Sequence, residues 1–304
     1  MMMETTQDKV DQAETLRSLS DHLAASEKTA TRTGGSTHVF SITSGKGGVG
    51  KTAVVSNVAV ALAGLGRRVL IIDADLGLAN IDVVFGLAPR YNLNHFFAGE
   101  QSLDTIMLDG PGGIKILPAG SGVQKFTRLD SQMKMRFLDD LDSLHGDFDV
   151  VLIDTEAGIS ENVTYFNAAA QDILVVTTPE PTAITDAYAL MKLLSTQYHE
   201  KRFNLIVNSV RDNDEALDVY RKLTMVSSRY LDISIDFVGG IPFDRRMHES
   251  VRRQRVMVEL YPGTKTSTAF QSIACTISSE PNMPQPKGNL QFFWRKLMSF
   301  GNGV

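Results

Sequence analysis

Ser44-Gly45-Lys46-Gly47-Gly48-Val49-Gly50-Lys51-Thr52 decides the reading of this chain. An apolar run at 39–43 (Val-Phe-Ser-Ile-Thr) precedes it and reads as a buried strand, and an Ala/Val-rich helical pattern follows from 53 to about 65. Positions 45–52 fit G-x-x-x-x-G-K-[ST] in the strand–loop–helix context that a phosphate-binding loop needs. Glycines let backbone N–H groups turn inward around phosphate oxygens without a Cβ in the way. The helix N-terminus adds partial positive charge at the same spot. Lys51 is expected to reach the β/γ-phosphates and the Thr52 hydroxyl to ligand Mg²⁺. Gly45, Lys46, Gly47, Gly48, Val49, Gly50 and the first helical residue, Ala53, complete the expected nucleotide contacts.

Further apolar runs at 68–73, 114–118, 150–154, 173–177 and 205–208 read as buried strands. Helix-length segments separate several of them, among them 131–144, 182–195 and 213–230. Continuous apolar strands divided by helices predict an α/β fold, a doubly wound, mostly parallel sheet with helices on both faces. Ligands of such sheets bind beyond the carboxyl ends of the strands. Asp73 and Asp75 end the second strand and Asp154 ends the run 150–153. A carboxylate there, beside a phosphate loop, can hold a Mg²⁺ water.

Composition limits the rest. The chain has 304 residues, 43% of them hydrophobic, enough for one large domain with appendages or two small ones. A net charge of −5 gives no bulk attraction to nucleic acid. Residues 245–304 carry nine Lys/Arg against three Asp/Glu, a local +6 that leaves about −11 for the remainder. That basic end suits an anionic partner. Cys275 is the only cysteine, so an internal disulfide is excluded and a reducing cytosol fits. No apolar run approaches the length of a membrane span, and nothing resembles a signal peptide.

Three regions follow from these patterns: 1–37, 38–279 and 280–304. In the first, Val10, Ala13, Leu16, Leu19 and Leu23 form a narrow helical stripe, followed by a flexible composition at 29–37. A short helix on a tether reads as a docking peptide or as a tail without function. In the last, a Pro-rich linker at 280–289 leads to 290–300. On a helical wheel Leu290, Phe293, Trp294, Leu297, Met298 and Phe300 share one side and Gln291, Arg295, Lys296 and Ser299 the other, with Phe292 misplaced. That pattern suits an in-plane membrane helix, which two copies in a dimer would strengthen, or a helix packed on the protein's own body.

The loop resembles the deviant phosphate loop of the MinD/ParA/nitrogenase-iron-protein superfamily, because Lys46 stands five residues before Lys51. The resemblance implies an ATPase that closes face to face on ATP, with Lys46 reaching the nucleotide of a second copy. The single cysteine removes the iron-protein branch, whose bridging cluster needs more thiolates. Residues 73–80 and 154–160 resemble the two switch segments. By that likeness Asp75 positions the attacking water, Asp73 and Asp154 support Mg²⁺, and Asn208 contacts the adenine edge. Glu156 departs from the pattern: a carboxylate near the γ-phosphate repels it unless it points away or meets a cation.

Within the superfamily the chain resembles the flagellar-number regulators of the FlhG/FleN type, on residues 11–17, 75–86, 179–188 and 241–255. Asp11, Gln12, Ala13, Leu16 and Arg17 match the activator motif that stimulates the SRP-type GTPase FlhF, with Gln12 inserted at the partner's nucleotide site. The resemblance further implies a flagellar transcriptional activator and switch-complex proteins as partners. It also implies an ATP dimer that carries Phe293, Trp294, Arg295, Lys296, Leu297 and Phe300 to anionic lipids at the cytoplasmic face of the inner membrane. Two rivals remain: a cell-division or cargo-partition ATPase, and a nucleotide-gated scaffold whose hydrolysis matters little. His95, beside Phe96 and Phe97, is expected to pack or cap rather than act as a base. Arg245, Arg246, Arg252, Arg253 and Arg255 are expected to form a solvated or dimer-rim face rather than a DNA site.

Overall fold

The computed structural model describes residues 37–75, 81–118, 136, 140, 147–279 and 296. The chain divides into two units, Met1–Gly35 and Ser36–Val304, and every described residue lies in the second.

Eight strands form one sheet. They are β1 His38–Ser44, β2 Val69–Ala74, β3 Leu108–Asp109, β4 Lys115–Pro118, β5 Val150–Ala157, β6 Asp172–Thr177, β7 Arg202–Val210 and β8 Ser234–Pro242. Their order is β3-β4-β2-β5-β1-β6-β7-β8, parallel throughout except for the short β3–β4 pair. The loop-bearing strand β1 therefore sits inside the sheet, with β5 on one side and β6 on the other.

Ten helices cover the two faces among the described residues. Early in the chain come α1 Lys51–Gly64, α2 Ile81–Phe85, α3 Leu93–Phe97 and α4 Leu103–Ile106, then α5 Glu161–Ala169 and α6 Pro181–Tyr198. After β7 follow α7 Asn213–Tyr230, α8 Arg246–Arg252, α9 Met257–Leu260 and α10 Lys265–Ser279. Successive strand residues point to opposite faces and both faces are dry. Phe40, Ile71, Leu152 and Ile206 pack with α1 and α10 in one core. Val39, Leu70 and Val151 pack with α3–α5, and Leu205 with α6 and α7, on the other face. Each such side chain contributes about 1.5–3 kcal/mol relative to exposure. Helix α1 is apolar nearly all round because it is sandwiched between the sheet and α10.

The expected strands and the helix 213–230 are found with small shifts of boundary. Strand β8 was not foreseen. It is an edge strand, only partly buried, and Gly239-Gly240 interrupts its apolar run. Of the expected helix 131–144 only residues 136 and 140 are described, and both are helical. The stripe at 10–23 and the segment 290–300, apart from Lys296, lie outside the described residues.

Candidate nucleotide site

The carboxyl ends of β1, β2 and β5 bring the sequence-predicted residues together. β2 and β5 pair in register, so Asp73 stands beside Asp154, and Ile42 on β1 is the register partner of Asp154. The loop leaves β1 at Ser44 and enters α1 at Lys51. Gly50 takes a left-handed conformation (φ 86°) as the residue before α1, with no side-chain cap. The first N–H groups of α1 are thus left to face a ligand.

Two glycines hold the loop against its surroundings. A Cβ on Gly45 would lie 2.2 Å from the backbone carbonyl of Asp186 in α6, and one on Gly50 would lie 2.4 Å from Asn208 Nδ2. Asn208 donates from Nδ2 to the Val49 carbonyl at 2.7 Å, and its Oδ1 accepts from Ser209 N–H at 2.9 Å. Its amide is therefore engaged by the loop and the strand end. Ser209 pays for this turn with a left-handed φ of 58°.

Lys51 is buried and donates from Nζ to Asp154 Oδ1 at 2.7 Å. Burial pushes the Asp154 carboxyl up, and hydrogen bonds from Lys51 and Thr52 draw it back. Its second oxygen, Oδ2, is buried without a hydrogen-bond partner among the described residues. Asp73 is pushed up to about 7, first by burial and then by the charge of Asp154. Its two oxygens accept from the N–H groups of Asp75 (3.2 Å) and Ile81 (3.3 Å), so Asp73 staples both ends of the first switch segment. Residues 76–80 between them lie outside the described residues. Asp75 is half-buried at the end of this strand.

The donor set fits a hydrated Mg²⁺. It holds one orphaned carboxylate oxygen, a second carboxylate one strand away and the Thr52 hydroxyl. No group of three or more His, Cys, Asp or Glu that could cage a metal is found among the described residues, and Mg²⁺ uses few protein ligands beside water and phosphate.

Lys46 goes elsewhere. Its Nζ lies 3.1 Å from Glu180 Oε2 and 3.0 Å from Thr182 Oγ1, at the start of α6 and on an exposed face. The roles of Glu180 and Thr182 were not foreseen, because nothing in the sequence relates positions so far apart. The Glu156 carboxylate accepts from Ser160 Oγ at 3.3 Å, within its own switch segment, and Ser160 caps α5.

His95 is a cap, as expected: its Nδ1 accepts from Asn92 N–H at 3.2 Å at the start of α3. Three arginines of the basic cluster meet acids of their own neighbourhood. Arg246 pairs with Asp244 at 2.7 Å, Arg253 with Glu249 at 2.5 Å and Arg255 with Glu259 at 3.8 Å. Residues 11–17 lie outside the described residues, as do Phe293, Trp294, Arg295, Leu297 and Phe300. Lys296 is described and donates from Nζ to the Ala168 carbonyl near the end of α5.

Residues 35–278 match the family model described as ParA: NUBPL iron-transfer P-loop NTPase. The iron transfer in that description is not carried over, since a bridging cluster needs more thiolates than Cys275 alone. The antiactivator FleN of Pseudomonas aeruginosa is 42% identical over 86% of this chain and 93% of its own length. The flagellum site-determining protein YlxH of Helicobacter pylori is 31% identical over 88% of this chain and 91% of its own. The septum site-determining protein MinD of Pyrococcus horikoshii, in a structure complexed with Mg-ADP, superposes with a TM-score of 0.61 at 26% identity. That match covers 80% of this chain and 96% of the other.

Proposed function

This chain belongs to the ParA/MinD family of P-loop ATPases, and from that premise we propose that it is an ATP-gated dimeric switch in flagellar regulation. The observation that carries the switch is the divergence of the two loop lysines. Lys51 is buried against Asp154, inside its own phosphate loop, while Lys46 lies on an exposed face against Glu180 and Thr182. One lysine serves the chain's own nucleotide, and the other, held by Glu180 and Thr182, stands on the surface where it would serve a second copy. The likeness to FleN and YlxH supports the flagellar assignment.

In the working site, backbone N–H groups of residues 45–52 would cradle the phosphates, with Asn208 at the adenine edge. Thr52, Asp73 and Asp154 would hold a Mg²⁺ ion, which when bound neutralises charge on the phosphates. Asp75 would orient the attacking water. Lys51, with Lys46 of a second copy, would stabilise the charge that develops during transfer. In the three-region organisation the N-terminal motif, Asp11 to Arg17, acts on an FlhF-type GTPase. The C-terminal helix attaches the ATP dimer to anionic lipid. The protein thus cycles between the cytosol and the membrane face.

Light scattering of the wild type and Lys46→Ala, with Mg²⁺-ATP and Mg²⁺-ADP, tests the switch. A dimer formed with ATP alone and lost in the variant is expected. A monomer in every condition, with ATP shown to be bound, would sink it. A second reading, favoured by the antiactivator relative, is restraint of a transcriptional activator with little need of hydrolysis. Asp75→Ala separates the two: under that reading flagellar number barely changes when turnover is lost.

A further inference from the structure

Asn167 is a fully buried polar residue in α5, and its amide is used on both sides. Its Oδ1 accepts from Ser41 Oγ at 2.8 Å. Its Nδ2 donates to Thr43 Oγ1 at 3.1 Å and to the Val163 carbonyl at 2.8 Å. Ser41, Thr43 and Asn167 are all 0% exposed. A carbonyl can only accept, so the amide nitrogen must face Val163 and the side chain has one orientation. Ser41 and Thr43 belong to β1, and Thr43 stands two residues before Gly45. The helix that leaves the second switch segment is therefore tied, within the protein interior, to the strand that carries the phosphate loop.

The other end of the segment is tied to the same strand. Gly158 N–H donates to the Ser44 carbonyl at 2.8 Å, and Thr155 Oγ1 donates to the Ile42 carbonyl at 3.0 Å. Between these ties and α5 lie the exposed Ile159 and Ser160, and the tied Gly158 itself takes a φ of 102° open to few other residues. An apolar residue at 167 would fill the space without needing partners, whereas a buried amide is tolerated only when satisfied. A network that can be satisfied in one register only holds two elements in that register.

We propose that Asn167 is a positioning residue for ATP hydrolysis. It fixes α5 on β1, so that change in the second switch segment is confined to Gly158, Ile159 and Ser160 while the helix behind them stays in place. It acts through the placement of α5 on β1, and its own side chain is fully buried. The same pinned helix presents the Ala168 carbonyl to Lys296. The inference rests on the ATPase activity alone and is independent of the dimer, membrane and partner readings.

The test separates positioning from folding. Asn167→Leu leaves two buried hydroxyls without their partner and is expected to lower both the unfolding temperature and kcat. The triple variant Ser41→Ala, Thr43→Val, Asn167→Leu removes the whole network in matching shapes, which restores stability when no polar group is orphaned. Steady-state ATP turnover, thermal unfolding and titration with a fluorescent ADP analogue are measured on all of them. Recovered stability and ADP affinity with kcat still down by roughly tenfold or more, the scale on which small misplacements act, supports the proposal. A triple variant with wild-type kcat overturns it. The double variant Ser41→Ala, Thr43→Val guards against a triple variant that does not fold, since it cuts both ties to β1 while Asn167 keeps Val163. Lower kcat at unchanged ADP affinity supports positioning, and unchanged kcat overturns it.

Discussion

Asp73 and Asp154 are register partners at the carboxyl ends of neighbouring parallel strands, both buried, and only Asp154 has a lysine. The two carboxylates stand side by side in the interior, and the one without a lysine bears the cost.

That cost is pH-dependent. Burial and the Asp154 charge raise Asp73 to about 7, above its ordinary value of 3.8. A carboxyl raised by folding adds stability that is fully present below the unfolded value and is lost as pH rises through the folded one. Between pH 4 and 7 the loss is on the order of 3–4 kcal/mol, and it levels off about one pH unit above the folded value. Without nucleotide, Asp73→Asn is expected to flatten this fall. Chemical denaturation at pH 4.5 and pH 8 reads it, and parallel losses in wild type and variant would refute the assignment.

Glu180→Gln is expected to leave the fold intact and change assembly. The Lys46–Glu180 pair is exposed and such pairs are worth ~0–1 kcal/mol, so the unfolding temperature should hardly move. The ion pair is then lost and Lys46 is held by neutral acceptors alone, so the ATP-dependent dimer should form at lower protein concentration. Sedimentation across a dilution series checks this; an unchanged or weakened dimer contradicts it.

Gly45→Ala and Gly47→Ala should differ sharply. The first forces a Cβ to within 2.2 Å of the α6 backbone, whereas the second meets nothing within 4 Å and needs no left-handed φ. Overpacking against backbone costs about 1–3 kcal/mol or more. Thermal unfolding should show a clear drop for Gly45→Ala and little change for Gly47→Ala.

Asn208→Ala removes the donor that holds the Val49 carbonyl. A loss of about 1 kcal/mol in stability is expected, with weaker ADP binding in a fluorescence titration. Preference for ATP over GTP is expected to fall with it.

Much of the site was legible in local sequence because its parts are contiguous. Gly45 to Thr52 is one stretch between a strand and a helix, and Asp73 and Asp154 follow apolar runs that could only be buried strands. A phosphate loop works through backbone N–H groups and a helix end, and both are written in adjacent residues. The parallel sheet was legible for the same reason, since strands buried on both faces are apolar without interruption. Edge strand β8, with one side unpaired, lacks that mark.

Relations between distant positions were decided by the tertiary structure alone. Lys46 meets Glu180 across 134 residues, and Asn167 meets Thr43 across 124. Periodicity places a residue on a face but does not say which side chain of another element lies opposite. That depends on strand order and register, which put β1 between β5 and β6 and laid α5 over Ser41 and Thr43. The sequence by itself therefore determined the nucleotide chemistry and the class of sheet. Packing decided which lysine points inward, which carboxylate stands unpaired and which helix is pinned to the loop strand.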